Sequence, residues 1–173
     1  AERLELFLYR RARAVVALTP AFKDNLMRRG IQPDKIFVVI NGVDLRRYKP
    51  RPKNLELAAE LELDGYFIVG YIGTHGMAHG LSNVLDASDM LAPDSKTKFL
   101  LVGRGAEKEA LVSEAERRGL DSVVFVSAQT KDRIQDYWNL CDVALVHLKD
   151  SPTFKTVIPS KTFEAMAMAL PLI

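Results

Sequence analysis

The sequence predicts an α/β protein built on a doubly wound parallel sheet. Three observations carry that expectation. From residue 66 onward, short β-branched apolar runs alternate with amphipathic stretches at βαβ spacing: "YFIVGYI" (66–72), "FLLV" (99–102), "VVFV" (123–126), "VALVH" (143–147) and "LPLI" (170–173). Each run is apolar at consecutive positions, as in strands covered on both faces by helices. Two of the runs end in glycine-bearing turns that lead into helices, the place where open α/β sheets bind ligands.

The elements follow in chain order. A charged helix (2–12) precedes a short strand, "AVVAL" (14–18). A second helix follows Thr19-Pro20, where threonine caps and proline suits the first turn. The strand "IFVVI" (36–40) completes a βαβ unit. The stretch "NGVDLRRYKPRPKN" (41–54) is rich in Arg, Lys and Pro, has no apolar period, and reads as a linker. Asn41-Gly42 could open a hairpin instead, but the residues after it are polar and proline-rich. The division between domains therefore falls near residue 44. Residues 1–44 read as the end of one sheet-bearing domain and 45–173 as most of another, so the chain is expected to be a piece of a longer protein, with "LPLI" leading on to further helices.

Within the second part, the helix 106–118 ends at Gly119, suited to a left-handed C-cap, and the helix 131–140 starts after Thr130, suited to an N-cap. Ile134, Tyr137, Trp138 and Cys141 fall on one helical face. The single cysteine then reads as a buried structural thiol with no disulfide partner, which suits a reducing cytosol.

Composition narrows the function. The 173 residues are 48% hydrophobic and 27% charged, with a formal net charge of +2, a balance that offers no basic face for nucleic acid. No apolar run approaches the ~20 residues that span a bilayer, and residues 1–14 carry charges in place of a signal peptide's apolar region. The basic first helix, "RLELFLYRRARA", suits either an anionic membrane surface or the border of an interdomain cleft.

The turn "GTHGMAHG" (73–80) has the stronger chemical pattern. Glycines let backbone approach a ligand, and the helix beyond offers free N–H groups and a partial positive charge, which together suit a phosphate. His75 and His79 read as donors to phosphate or sugar oxygens or as plain surface histidines; the loop has no Cys, Asp or Glu to complete a metal site. His147 reads as a strand-end residue. The second turn, "VGRGAEKEAL" (102–111), has Glu107 and Lys108 where the dinucleotide fingerprint needs its third glycine, and no acidic residue follows "VVFV" to hold a ribose, so an NAD site is not expected. Both turns also make sense as tight strand-to-helix connections.

In the closing stretch, "PSKTFEAMAMALPLI" (159–173), Pro159-Ser160 reads as a cap, Lys161 as first-turn, and Phe163, Met166, Ala167 and Leu170 as the buried stripe, with Glu164 off it. Counted from Ser160, a capping box would need its acid at Phe163, so Glu164 is not one. Interaction with the helix dipole and hydrogen bonding to vicinal hydroxyls of a ribose both remain open.

Taken in order, "VVINGVD", "YIGTHGMAHG", "LLVGRGAEKEAL", "VVFVSAQTKDRIQDYWNLCDVALVHL" and "PSKTFEAMAMALPLI" resemble the GT-B glycosyltransferases, specifically the group 1, family 4-like members, over nearly the whole chain. The likeness is to the branch that builds bacterial surface polysaccharides from UDP-linked amino sugars. The resemblance implies two Rossmann-like domains around a cleft, with 1–44 ending the acceptor-side domain, the crossing at Asn41 to Asp44, and 45–173 forming the donor-side domain. It implies that Gly73, Thr74, His75, Gly76, His79 and Lys161 face the donor diphosphate and that Glu164 holds the ribose. Thr156 and Ser160 would line the loop beside the donor sugar and phosphate. Arg104, Val126, Ser127 and Ala128 would border the base. Thr74 and His79 stand where many members carry Arg and Lys, and Thr156 where many carry a glutamate, which bears on the identity of the donor.

The implied reaction is hexosyl transfer from a nucleotide-diphosphate sugar, without metal or other cofactor, to a lipopolysaccharide, O-antigen or capsule precursor. The polysaccharide or lipid-linked acceptor would be held by acceptor-side residues outside this stretch. The setting implied is the cytoplasm, at the inner face of the bacterial membrane, with peripheral membrane association and no nucleic acid partner. No residue here reads as the catalytic base, so the 173 residues alone are expected to bind nucleotide without turnover. A nonhydrolysing UDP-sugar epimerase of the same fold, and a non-catalytic nucleotide-binding domain, are the alternatives.

Overall fold

Two sheets, both parallel, organise the chain. A computed structural model describes residues 2–91 and 95–173 and divides into two compact units, Ala1–Gly42 with Asp150–Ser160, and Val43–Lys149 with Lys161–Ile173. Among the described residues, no helix is long and apolar enough to cross a membrane.

The first unit contains α1 (Glu2–Arg11), β1 (Val15–Ala17), α2 (Pro20–Arg28) and β2 (Ile36–Val38). The strands pair parallel, Val15 opposite Ile36. Thr19 caps α2 by accepting a hydrogen bond from the Phe22 N–H at 3.1 Å, and Pro20 opens the helix with its φ preset. Val15, Ala17, Leu26, Ile31 and Ile36 form the core, with Leu6, Tyr9, Ala12 and Phe22 packed against it. β2 is shorter than the apolar run suggests, because beyond the Val39 N–H to Ala17 carbonyl bond at 2.9 Å the chain leaves its partner. Residues 150–160 also belong to this unit, whereas the sequence reading kept them beyond the division at 44. The Thr19 hydroxyl donates to the Thr156 carbonyl at 3.0 Å.

In the second unit, α3 (Leu55–Glu60), β3 (Phe67–Ile72), α4 (Ser82–Asp89), β4 (Thr97–Val102), α5 (Lys108–Arg118), β5 (Val123–Val126), α6 (Ile134–Leu140), β6 (Val143–Ala144) and α7 (Ser160–Ala167) follow in order. The strand order is β5-β4-β3-β6, every pair parallel. Alternate strand residues enter two different cores. Ile68, Ile72, Leu100 and Val102 join Leu57 and Ala58 of α3, Tyr137 and Trp138 of α6, and Ala165 of α7. Val69, Tyr71, Phe99 and Leu101 join Val84 and Leu85 of α4 and Leu111 and Ala115 of α5. Consecutive apolar residues are thus consumed on both faces, each large side chain contributing about 1.5–3 kcal/mol of burial, and the expected doubly wound sheet is the result.

Cys141 is buried against β3. A Cβ at Gly70 would lie 2.1 Å from the Cys141 Sγ, so the glycine makes room for the thiol, and burial pushes the thiol up to about 12.

Several boundaries differ from expectation for local reasons. α6 starts at Ile134, because residues after Thr130 form a turn in which the Thr130 carbonyl accepts from Arg133 N (3.0 Å) and Ile134 N (3.1 Å). α4 and α5 likewise start at Ser82 and Lys108, after turns. The run 143–147 is in register with β3 at Val143 and Ala144, Leu172 bridges to Ala144, and the backbone bonds continue through Leu145 N–H to the Gly70 carbonyl and Val146 N–H to the Ile173 carbonyl, both at 2.8 Å; His147 lies in the loop beyond. α3 was not anticipated. Its signal was Asn54, whose side chain accepts from the Leu57 N–H at 3.1 Å, a true N-cap.

α7 requires the largest correction. Ser160 is its first residue rather than a cap beyond it, and the buried face is Lys161, Ala165 and Met168, with Glu164 half-buried beside them. Phe163 is half-buried and Met166 is 60% exposed. The inward stripe lies two positions before the one that apolarity alone picks out, because alanine and a lysine occupy the inward positions, although Ala167 and Leu170 of the expected stripe still pack against the core.

Candidate functional site: a buried lysine at a glycine turn

The site is built where β3 and β4 end. Both strands run into glycine turns, and the two turns lie against each other. His75 N–H donates to the Arg104 carbonyl at 2.9 Å, and Glu107 N–H donates to the His75 carbonyl at 3.0 Å. A Cβ on Gly103, whose φ is +157°, would lie 1.8 Å from the Gly73 oxygen; one on Gly105 would lie 2.2 Å from the His75 oxygen. The glycines of "VGRG" are therefore required by backbone packing. Lys108 seals this second turn, its ammonium donating to the carbonyls of Gly103 (3.2 Å) and Val126 (2.9 Å).

The first turn has a lysine of another kind. Lys161, in the first turn of α7, is 8% exposed, and its buried ammonium has no hydrogen-bond partner among the described residues. It lies 3.6 Å from the centroid of the Tyr71 ring. Gly73, with φ +154°, makes this possible, since a Cβ there would come within 2.8 Å of Nζ. Burial lowers the Lys161 proton affinity to about 7, and Glu164 opposes the shift.

His75 is fully buried with both ring nitrogens unpartnered, its ring near those of Tyr71 and Phe125. Burial, with the charges of Lys108 and Lys161, pushes it down to about 4, so it is neutral at pH 7 and its ring has no face open to a ligand. His79 is half-buried and shifted down by burial and then by Lys161. The Nδ1 of His79 is 3.4 Å from the His147 carbonyl, and the His147 Nδ1 bonds in turn to the His79 carbonyl. Thr74 is exposed, and its carbonyl accepts the Tyr71 hydroxyl at 2.7 Å.

Glu164, one turn on from Lys161, accepts a hydrogen bond from the Trp138 indole N–H at 3.3 Å. Tyr48 is pushed up to about 12 by burial and by the Glu164 carboxylate. Sequence reasoning missed Tyr71, Trp138 and Tyr48. The polar atom on each otherwise apolar side chain was the available signal, since buried Tyr and Trp usually direct that atom to a partner.

Arg104, Ser127 and Ala128 line one cavity of about 440 Å³, together with Gly103 and Lys108. Val126 is not among its lining residues; its carbonyl is taken by Gly103 N–H (3.0 Å) and Lys108. Gly73, Gly76, His75, His79, Lys161 and Glu164 fall within one unit. Thr156 and Ser160 fall in the other, with the Thr156 hydroxyl donating to the Thr153 carbonyl at 2.7 Å. Among the described residues, no group of three His, Cys, Asp or Glu could hold a metal ion. Chemically, an enclosed cation without an oxygen partner is costly by itself and gains from an anion brought to it.

The family described as "Glycosyl transferases group 1" matches residues 66–173. The chain belongs to that family. The description "Glycosyltransferase Family 4" matches residues 1–47. Among similar proteins, a GDP-mannose-dependent alpha-mannosyltransferase of Mycobacterium tuberculosis (strain CDC 1551 / Oshkosh) is 27% identical over 96% of this chain and 40% of its own length. A protein of Escherichia coli (strain K12), provisionally named for glycosyl transfer in colanic acid biosynthesis, is 27% identical over 89% of this chain and 38% of its own. The group 1 chain thus spans about two fifths of the curated relatives it matches. Among solved structures, HepE of Anabaena in complex with UDP and glucose has the same fold, with a TM-score of 0.83 at 24% identity over 98% of this chain and 46% of that one.

Proposed function

We propose that residues 45–173, apart from the 150–160 segment that belongs to the first unit, form the donor-side domain of a glycosyltransferase that binds a nucleotide-diphosphate sugar, UDP-linked, and that residues 1–44 end its acceptor-side domain. In this reading the whole protein transfers a hexosyl group to a lipopolysaccharide, O-antigen or capsule precursor at the cytoplasmic face of the membrane. The observation that carries it is the buried, unpartnered ammonium of Lys161 at the Gly73 turn. Transfer from a nucleotide sugar builds negative charge on the leaving diphosphate, and a fixed cation in a site of low dielectric stabilises that charge without a metal.

The remaining residues take roles around that cation. Backbone N–H groups of the turn 73–80 approach the diphosphate, with Thr74, Gly76 and His79 at its outer side. His75 contributes by packing beneath the turn, since its ring is enclosed. Glu164, whose carboxylate faces Trp138 and Tyr48, accepts from the ribose hydroxyls. The cavity beside Arg104, Ser127 and Ala128 takes the base. HepE was solved with UDP and glucose, which supports a UDP-linked donor; the GDP-mannose dependence of the mycobacterial relative makes the base a point to measure.

Calorimetric titration of the full-length protein with UDP, GDP and ADP tests the reading. UDP is expected to bind, and the 173 residues alone are expected to bind it without turnover. If none of the three binds, the site assignment is wrong.

A further inference from the structure

Tyr71 is completely buried and counts among the core residues of β3, yet four features of the site meet on it. The Lys161 ammonium lies 3.6 Å from its ring centroid. The rings of His75 and His79 stand 5.9 and 5.8 Å away. Its hydroxyl donates to the Thr74 carbonyl at 2.7 Å, tying down the turn. An ammonium that finds no oxygen acceptor is attracted by the negative face of an aromatic ring, and more strongly where water is excluded.

We propose that Tyr71 is a positioning residue whose ring holds the Lys161 ammonium in place and charged at the glycine turn, ready for an anionic ligand; this rests on the diphosphate reading of Lys161. The charged and titratable groups facing Lys161 are Glu164 on its own helix, which favours the charge, and His75 and His79 from the turn. Burial already brings Lys161 to about 7. Without the ring's attraction, it loses its proton at a still lower pH, and at neutral pH the site has no cation to offer.

The test alters the ring's charge distribution while keeping its shape. UDP affinity is measured by calorimetry on the full-length protein from acid to alkaline pH, for wild type, Tyr71→Phe, pentafluorophenylalanine incorporated at position 71, Tyr71→Leu and Lys161→Met. The Lys161→Met profile supplies the ligand's own ionisation. Tyr71→Phe, which keeps the ring but frees the turn from the hydroxyl's bond to the Thr74 carbonyl, is expected to keep the wild-type pH midpoint and to lose less affinity than the fluorinated ring. The fluorinated ring and Tyr71→Leu are expected to lose roughly tenfold at neutral pH, to shift the pH above which affinity falls to a lower value, and to recover at acid pH. Should either folded variant keep the wild-type affinity and midpoint while Lys161→Met binds weakly, Tyr71 is only a packing residue. A Lys161→Met protein that binds as well as wild type overturns the diphosphate reading instead.

Discussion

The turns after β3 and β4 share a pattern, glycines following a buried strand and an associated lysine, but the two lysines meet opposite ends. Lys108 gives its protons to two carbonyls and closes the second turn. Lys161 gives its protons to no oxygen among the described residues and sits over an aromatic ring. The glycines differ in the same way: Gly103 and Gly105 leave room for backbone, whereas Gly73 leaves room for an ammonium. A glycine turn at a strand's carboxyl end therefore announces close approach without saying of what. The unpartnered cation sets the first turn, the proposed ligand site, apart from the second, whose lysine is satisfied by backbone.

The largest expected effect lies in the supporting turn. Gly103→Ala drives a methyl into the Gly73 oxygen at a positive φ, combining overpacking with left-handed strain, and should cost about 3 kcal/mol or more. Gly76→Ala, whose Cβ would meet only ordinary contacts at 3.5 Å, should cost less than about 1 kcal/mol. Chemical denaturation of both variants checks the contrast; equal losses would mean that the turns are not packed as described.

The lysines should separate stability from binding. Lys161→Met should weaken UDP binding by roughly tenfold to a hundredfold, the range of a lost charge-assisted bond, while leaving stability equal or higher, because a buried unpaired charge is removed. Lys108→Ala should instead lose about 1–2 kcal/mol of stability. The pH dependence carries the sign. The Lys161 pKa is depressed to about 7 in the fold from about 10.4 when unfolded, so between those values the unfolded chain binds the extra proton. Stability should rise with pH across that window, by up to about 1.4 kcal/mol per unit, and the slope should flatten in Lys161→Met. Urea titrations at a series of pH values measure it.

Glu164 should show a smaller and more selective effect. If the proposed ribose role holds, Glu164→Gln weakens UDP by about fivefold to tenfold and leaves the affinity of the dideoxyribose analogue unchanged. Equal weakening of both ligands would reassign Glu164 to holding Trp138 and Tyr48.

How far these features were visible in the sequence follows from what each residue depends on. The sheet was visible because consecutive apolar residues in 66–72 and 99–102 need two covered faces, a local signal. Gly119 and Thr19 ended and began helices as their own chemistry dictates. Lys161 and the turn 73–80 were visible as a charge and a glycine cluster next to strand ends. The burial of α7 was not, because Lys161 and Ala165 face inward for reasons set by neighbours distant in sequence. Nor was the role of Tyr71, Trp138 or Tyr48, each of which reads as core until its partner is placed. The glycines of 103–105 were ambiguous for the same reason: what they make room for lies about thirty residues upstream.

The smallest effect provides a control on the contrast between site and support. α7 ends in the left-handed region at Ala169, φ +55°, with Leu170 N–H bonded to the Ala165 carbonyl at 3.0 Å, the arrangement that α5 completes with Gly119 at φ +66°. A left-handed alanine costs roughly 1–2 kcal/mol, and glycine returns part of that through the freedom it adds to the unfolded chain. Ala169→Gly should therefore stabilise the fold by about 0.5–1 kcal/mol. The substitution lies at the far end of α7 from Lys161, so UDP affinity should stay within about twofold. If affinity rises together with stability, UDP binding is limited by fraying of α7, and the losses expected for Lys161→Met would have to be divided between charge and helix docking.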